Sequence, residues 1–580
     1  MRKIGQGKMG FGVIKNGEIL GFESLKHDIC KMSANLKARK LSCVEIYLDS
    51  SYDFMVAFFG AINAGIKTYI LPKEVNLGLG FMINDSNFAQ ILGECNNLSL
   101  RGSVSVANTT KQSTNLNNSL DCHNLTASSF AKQGEAEVFL VMMGLFNQNA
   151  IDLPFFLSTS GSSKDKGDIV PKTLRQMIEE AKVLRETLGA KSDDIFIASA
   201  THQHLYGLTH KIFLPLIANA RIVDSELKFP ELILAFCAES SAKNLILITS
   251  PTLLKYLASQ PDLRPLSNLK AIISAGARLD SEIRAYFRNK INLDIFEVYG
   301  STESGIVAFN AHFNDKFIPF SGVELKTHSD SRLIIRSAWV QNALTGAEFI
   351  SNDSAKIKNG ALILQGRIDR IVKIFEKRVS LDSLEARIRA LKIIDDCFVG
   401  LIDGQNHAHC VVVLSKNGKE LFLQNGKKGV VEAIKSLKIK EIRHFHIRAK
   451  LPYNERCKIT KKDFIACVNE KIMPKFEIIH SDSEWLSARS YIDEGCFYFD
   501  GHFGDFPLVP GFVELGFVVD LAKVHLDLGA DFSIECVKFT NFMRPFSEVE
   551  MEIKRKNSKI YFQILSDKKE CANGRISPKN

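Results

Sequence analysis

The sequence predicts an α/β protein with a large parallel-sheet domain, a smaller α/β domain and a third, α+β module of different character. Three observations predict it. Short apolar runs alternate with helical patterns over residues 39–72 and again over 150–350, the pattern of βαβ units. A Gly366-Arg-Ile-Asp369 run then follows a strand-like segment, and a shorter alternation begins over 381–470. From about residue 476 a turn-rich, aromatic sequence takes over. At 580 residues the chain is too long for one core, and three or four domains is the prior.

Each element has its own signal. Val44–Leu48 and Thr68–Leu71 read as strands, the second ended by Pro72, and Tyr52–Ala64 between them has helical apolar spacing. Residues 96–134 are rich in Asn, Ser and Thr and read as a surface excursion. Leu153–Leu157 reads as a buried strand and Leu174–Leu188 as a helix. Strands are expected at Ile195–Ser199, Asn244–Thr249, Leu269–Ser274, Ile295–Tyr299 and Ala361–Leu364. In the smaller domain a helix is expected over Leu381–Leu391, with strands at Cys397–Ile402, His409–Leu414 and Glu441–Ile447. The last module shows a helix pattern over Phe512–Leu528 and a strand over Val537–Phe546.

Composition narrows the classes. The chain is 45% apolar and 24% charged, as in an ordinary globular protein. A net charge of +9 is modest for this length and permits an acidic partner. No basic run, zinc spacing or RNA motif points to nucleic acid. Twelve scattered cysteines without a C-x-x-C pair read as reduced thiols, which places the expected compartment in the cytoplasm. The N-terminal residues lack the apolar core of a signal peptide, and no run reaches the ~18 apolar residues of a membrane span.

Two short runs carry the candidate chemistry. In Leu157-Ser-Thr-Ser-Gly-Ser-Ser-Lys-Asp-Lys-Gly167, small hydroxyl-bearing residues between a strand and a helix can surround phosphate oxygens, with Lys164 and Lys166 adding charge. Alone, such a run is more often just a surface loop. In Val298-Tyr-Gly-Ser-Thr-Glu-Ser-Gly305, Thr302 can bind phosphate, Glu303 can hold Mg2+, and Tyr299 offers a ring for adenine. Thr159-Ser-Gly-Ser-Ser163 followed by Tyr299-Gly-Ser-Thr-Glu303 resembles the signatures of the adenylate-forming superfamily of acyl-CoA synthetases, luciferases and peptide-synthetase adenylation domains. The resemblance extends over roughly residues 40–470.

That resemblance implies an adenylate-forming domain over 1–365 and a small mobile domain over 366–472. It implies ATP and Mg2+, a carboxylic acid substrate, and CoA or the phosphopantetheine of an acyl carrier protein as acceptor. Thr159, Ser160, Gly161, Ser162, Ser163 and Lys166 would cradle the phosphates. Gly276, in Ser274-Ala-Gly-Ala-Arg278, would lie against adenine, and Asp353 would hold the ribose. His204 and Gly207 would line the acyl pocket; read from the residues alone, Thr201-His-Gln-His-Leu-Tyr-Gly207 is a loop packed on a core edge. Arg367 would reach ribose or phosphate, and Asp369 would be the hinge between domains. Lys458, in Leu451-Pro-Tyr-Asn-Glu-Arg-Cys-Lys458, would neutralise the carboxylate and α-phosphate. The chain departs from the family pattern in the phosphate run, which lacks its second Gly and its Pro, and at Glu376-Lys-Arg378 and Cys457, where Gly is usual.

Residues 473–580 form the third expected domain. Gly501-His-Phe-Gly-Asp-Phe-Pro-Leu-Val-Pro-Gly511 is similar to the motif of hotdog-fold 3-hydroxyacyl-carrier-protein dehydratases, and the whole resembles the ligase–dehydratase fusions of aryl-polyene-type pathways. The resemblance implies a homodimer through this domain and His502 as a catalytic residue; a packed structural histidine is the other reading. The family's carboxylate position falls on Gly516 here. Glu514 lies about 200° away around the helix, and Asp520 one turn on. A second function class therefore stays open: a non-catalytic scaffold that binds acyl carrier protein.

Overall fold

In a computed structural model the chain forms two compact units, Met1–Gln365 and Gly366–Asn580. The structure describes residues 10–72, 77–93, 148–158, 168–311, 316–340, 348–374, 377–454, 459–500 and 505–579. The Asn/Ser/Thr-rich stretch expected as a surface excursion falls outside these residues.

The first unit is built on a nine-stranded sheet. Six neighbours run parallel, from Ile295–Ser301 through Leu269–Ser274, Leu245–Thr249, Ile195–Ala198 and Arg221–Val223 to Gly12–Lys15. Antiparallel strands close both edges: Gly305–Asn310 and Ile318–Pro319 on one side, Glu18–Gly21 on the other. Leu245–Thr249 is buried along its whole length, as a strand covered on both faces must be. A second sheet orders Phe81–Ile83, Cys43–Ile46, Lys67–Ile70, Pro154–Ser158 and Ile169–Thr173, the first four parallel. The Ser51–Asn63 helix is apolar almost all round because nearly every side is covered. A four-stranded sheet ends the unit with Phe349–Lys358 and Ala361–Arg367.

The hydroxyl-rich run was expected between a strand and a helix. It instead joins two antiparallel strands, Pro154–Ser158 and Ile169–Thr173. Pro171 is tolerated there because Ile169–Thr173 is the sheet's edge, where a missing N–H breaks no ladder. The Leu174–Leu188 helix starts only afterwards, with a Thr173/Gln176 capping box and Gly189 in the left-handed conformation at its end.

The second unit begins with the pair Ile371–Ile374 and Lys377–Ser380. The Leu381–Arg389 helix follows, then a three-stranded sheet of Ile394–Gly400, Ala408–Leu414 and Ile442–Ile447. A six-stranded antiparallel sheet then packs against the Gly511–His525 helix. The strand expected at Val537–Phe546 runs instead over Phe532–Phe539, with a register slip after Glu535 where Cys536 takes a φ of 53°. The two parts of this unit share one apolar cluster, from Ile374 and Phe422 to Phe499, Phe517 and Ile576. Lys427–Asp500 and Lys428–Asp505 ion pairs, at 2.9 and 3.4 Å, fasten the Lys416–Lys435 helix to the aromatic turn region. Among the described residues no helix is long and apolar enough to cross a membrane.

Candidate nucleotide-binding site

In open α/β sheets, ligands bind beyond the carboxyl ends of the parallel strands. Four such ends lie side by side here, at Ala198, Thr249, Ser274 and Ser301. Ser199 Oγ donates to Thr249 Oγ1 at 2.9 Å. The hydroxyl of the half-buried Tyr206 bonds the carbonyls of Thr249 and Ile273 at 2.8 and 2.9 Å, tying two strand ends together.

The loop carrying Tyr206 explains two histidines. Gly207 is obligatory, because a Cβ there would sit 2.0 Å from the Thr201 carbonyl oxygen. His204 heads the short helix Leu205–Gly207 and is half-buried. His202 is fully buried, with Nε2 2.8 Å from the Leu48 carbonyl and its ring against Phe54. Burial, with the nearby Lys211 ammonium, pushes its pKa far below the usual histidine range, so it stays neutral. Among the described residues no three His, Cys, Asp or Glu side chains cluster as a metal site.

Tyr299 and Asp353, 54 positions apart, meet directly: the phenol donates to Asp353 Oδ2 at 2.6 Å. Thr302 and Glu303 form the turn that follows, both half-buried. Ser301 and Ser304 close it by reciprocal bonds of 3.0 and 3.2 Å between backbone N–H and hydroxyl. Gly305 has a φ of 67°, and a Cβ on it would lie 2.4 Å from the Trp339 ring, so only glycine fits. Gly276, at a φ of 95°, faces open space in an exposed turn. That turn is anchored by the buried Glu297, which accepts from the Leu279 N–H at 2.8 Å and from Arg284 at 2.7 Å. Glu297 lies on the same strand as Tyr299, so one carboxylate fixes the Gly276 turn relative to the Tyr299 ring.

Beneath the Thr302–Ser304 turn lie three side chains that sequence reasoning missed. Lys172 Nζ donates to the Trp339 carbonyl at 2.6 Å and more weakly to that of Glu303 at 3.5 Å. Glu180 accepts from the Ile306 N–H at 2.9 Å, and Trp339 Nε1 donates to the Ile306 carbonyl at 2.8 Å. Lys172 and Glu180 are each 1% exposed. Burial lowers Lys172 to about 8 and raises Glu180 to about 7, each shift opposed by the partner's charge. The one signal for this group was Pro171-Lys-Thr173 ahead of the Thr173/Gln176 capping box, where a lysine ordinarily reads as solvated.

In the second unit Arg367 is held fork-to-fork by Asp369, at 2.9 and 2.7 Å, and its backbone N–H donates to Asp382. This pair stands where the chain passes from the first unit to the second. Thr159, Ser160, Gly161, Ser162, Ser163, Lys166, Lys458 and His502 lie outside the described residues. On the Gly511–His525 helix, Gly516 has open space where a Cβ would be, and Asp520 is exposed. Glu514 faces the opposite way into the core, where burial raises its carboxyl to about 7.

The donor set suits a nucleotide. An open glycine turn, a polar Ser-Thr-Glu turn and Tyr299 gather along strands of the nine-stranded sheet, and the carboxylate paired with that phenol comes from the four-stranded sheet. Comparison with known proteins agrees. The family model of the AMP-binding enzymes matches residues 9–330, more than half of the chain. The chain belongs to the AMP-binding enzyme family. This AMP-binding chain also carries a dehydratase-like hotdog domain, matched by the ApeI dehydratase model over residues 479–575. It is 24% identical over 313 residues to acetyl-coenzyme A synthetase 1 of Saccharomyces cerevisiae, covering 45% of this chain and 44% of that one. It is 22% identical over 360 residues to the 4-hydroxybenzoate–CoA/benzoate–CoA ligase of Rhodopseudomonas palustris, covering 57% and 62%. These matches thus span less than two thirds of either curated relative. In fold, it superposes on ATP-bound MatB from Rhodopseudomonas palustris with a TM-score of 0.60 at 16% identity, covering 79% of this chain and 95% of that one.

Proposed function

We propose that this AMP-binding protein is an ATP-dependent acid–thiol ligase with an appended dehydratase-like module. A carboxylate attacks the α-phosphorus of ATP and releases pyrophosphate, forming an acyl-adenylate. A phosphopantetheine thiol, of CoA or an acyl carrier protein, then attacks the acyl carbon and releases AMP. The observation that carries the reading is the Tyr299–Asp353 bond beside the Thr302–Ser304 turn, at the strand ends where such folds take ligands.

Each residue has a task in this reading. Asp353 accepts the ribose hydroxyls, its bond to Tyr299 holds the ring edge-on to Phe317, and the ring stacks adenine. Gly276, without a side chain, lets the purine lie flat on its turn. Thr302 donates to phosphate and Glu303 presents its carboxylate to Mg2+, which when bound offsets phosphate charge. Thr159 to Ser163, with Lys166, hold the terminal phosphates. His204 and Gly207 border the acyl pocket. No general base is needed, since the attacking carboxylate is already ionised. Lys458 comes from the small domain, which with Arg367 and the hinge residue Asp369 spans 366–472. We place this chemistry in the cytoplasm.

The hotdog domain, 473–580, fits best as a carrier-protein docking and dimerisation module. Gly516 stands where a dehydratase supplies its acid, Asp520 is turned to solvent and Glu514 faces inward. The edge strand Phe532–Phe539 leaves Ile534 and Phe539 exposed, next to Phe542 and Phe512, a face suited to a second copy. His502 acting alone would give little dehydration.

Pyrophosphate exchange into ATP, run over a panel of aryl and medium-chain acids, tests the ligase reading. Exchange with at least one acid class is expected. Silence across the panel, with no melting shift on adding ATP and Mg2+, would favour the scaffold alternative.

A further inference from the structure

We propose that Lys172 and Glu180 are positioning residues that set the Thr302–Ser304 turn for the divalent cation, resting on the nucleotide-site reading above. The pair is costly. Taking an amine and a carboxyl out of water costs stability that their backbone bonds only partly return, so burying both is poorly explained by stability alone. What distinguishes this one is what its atoms hold. Lys172 grips two carbonyls, one on Glu303 itself and one on Trp339. Glu180 grips the N–H of Ile306, at the exit of the same turn. Trp339 closes the loop by donating back to the Ile306 carbonyl. The turn is therefore fixed on both sides of Glu303 by groups it did not supply.

The origin of those groups gives the arrangement its meaning. Lys172 sits on the Ile169–Thr173 strand and Glu180 on the Leu174–Leu188 helix, the two elements that follow the Ser/Thr/Gly run at 159–167. The second signature thus rests on the elements that follow the first. Gln176 of the same helix adds a bond to the Val340 carbonyl at 2.8 Å. Neither charge is free to reach a ligand, because both are 1% exposed. They act through the turn's backbone, Lys172 at Glu303 and Glu180 at Ile306, as outer-shell partners of a metal-binding carboxylate do.

The test uses the full chain. Calorimetry measures ATP binding at graded Mg2+ for the parent, Lys172→Met, Glu180→Gln, the double variant and Glu303→Gln. A second readout needs no ligand: Trp339 and Trp485 are the two tryptophans, so in a Trp485→Phe background Trp339 emission reports the turn directly. Lys172→Met should raise the Mg2+ requirement by about tenfold or more, the usual size of an outer-shell loss. It should also shift Trp339 emission in the free protein. Combining Lys172→Met with Glu180→Gln removes the stranded buried charge, so melting should recover while the Mg2+ requirement stays raised. A double variant with parental Mg2+ dependence and parental emission overturns the proposal and leaves the pair a fold support. Glu303→Gln separates the two levels: if it too has parental Mg2+ dependence, the turn is not the cation site and the underlying reading fails.

Discussion

Ending the chain at residue 472 abolishes the fold of the second unit, although the ligase signatures all lie before that point. The small domain does not close its own core. Phe422, fully buried on the Lys416–Lys435 helix, packs edge-on against Phe499 and Phe546, both beyond the cut. Arg544 donates to the Leu423 carbonyl, and Lys419 reaches the buried Glu494 at 3.8 Å. Ile472 pairs with Cys496 in a bridge that the cut removes. Exposing each large apolar side chain costs about 1.5–3 kcal/mol. A domain of this size has a total stability of only about 5–15 kcal/mol, so losing several such contacts consumes most of it. Chain 1–472 should therefore lose protease resistance after residue 366 while 1–365 stays protected. Equal resistance in both segments would show that the small domain folds alone.

Lys458→Ala should lower pyrophosphate exchange by at least about 10²-fold, the effect of removing one preorganised donor from a developing charge. The loss should be confined to adenylate formation. ATP binding should persist, because Tyr299, Asp353 and Glu303 belong to the first unit. Thioester formation from a supplied acyl-adenylate should also persist. Exchange at the parental rate in Lys458→Ala would remove Lys458 from the mechanism.

The parallel sheet was legible because its central strands are buried on both faces and read as near-continuous apolar runs, as at Leu245–Thr249 and Ile195–Ala198. Tyr299 and Asp353 were chosen from separate motifs; no local pattern announces that their side chains touch. The Ile169–Thr173 strand was not legible, since Pro171 is acceptable only at an edge and edge position is a property of the whole sheet. Lys172 and Glu180 were invisible for the same reason: locally they read as solvated charges on a strand and a helix, and tertiary packing buries them. The shared core around Phe422 escaped notice because the change in composition near residue 476 reads as a domain boundary, while the side chains pack across it.

The first unit is expected to hold Mg2+-ATP beside Tyr299 and Asp353. Thermal unfolding of the full chain, with and without millimolar ATP and Mg2+, tests it most directly. At about 100 times the dissociation constant, bound nucleotide adds about 2.7 kcal/mol and raises the midpoint by several degrees. We expect that rise in the parent and its loss in Asp353→Ala. Superimposable curves for the parent with and without nucleotide would contradict the account.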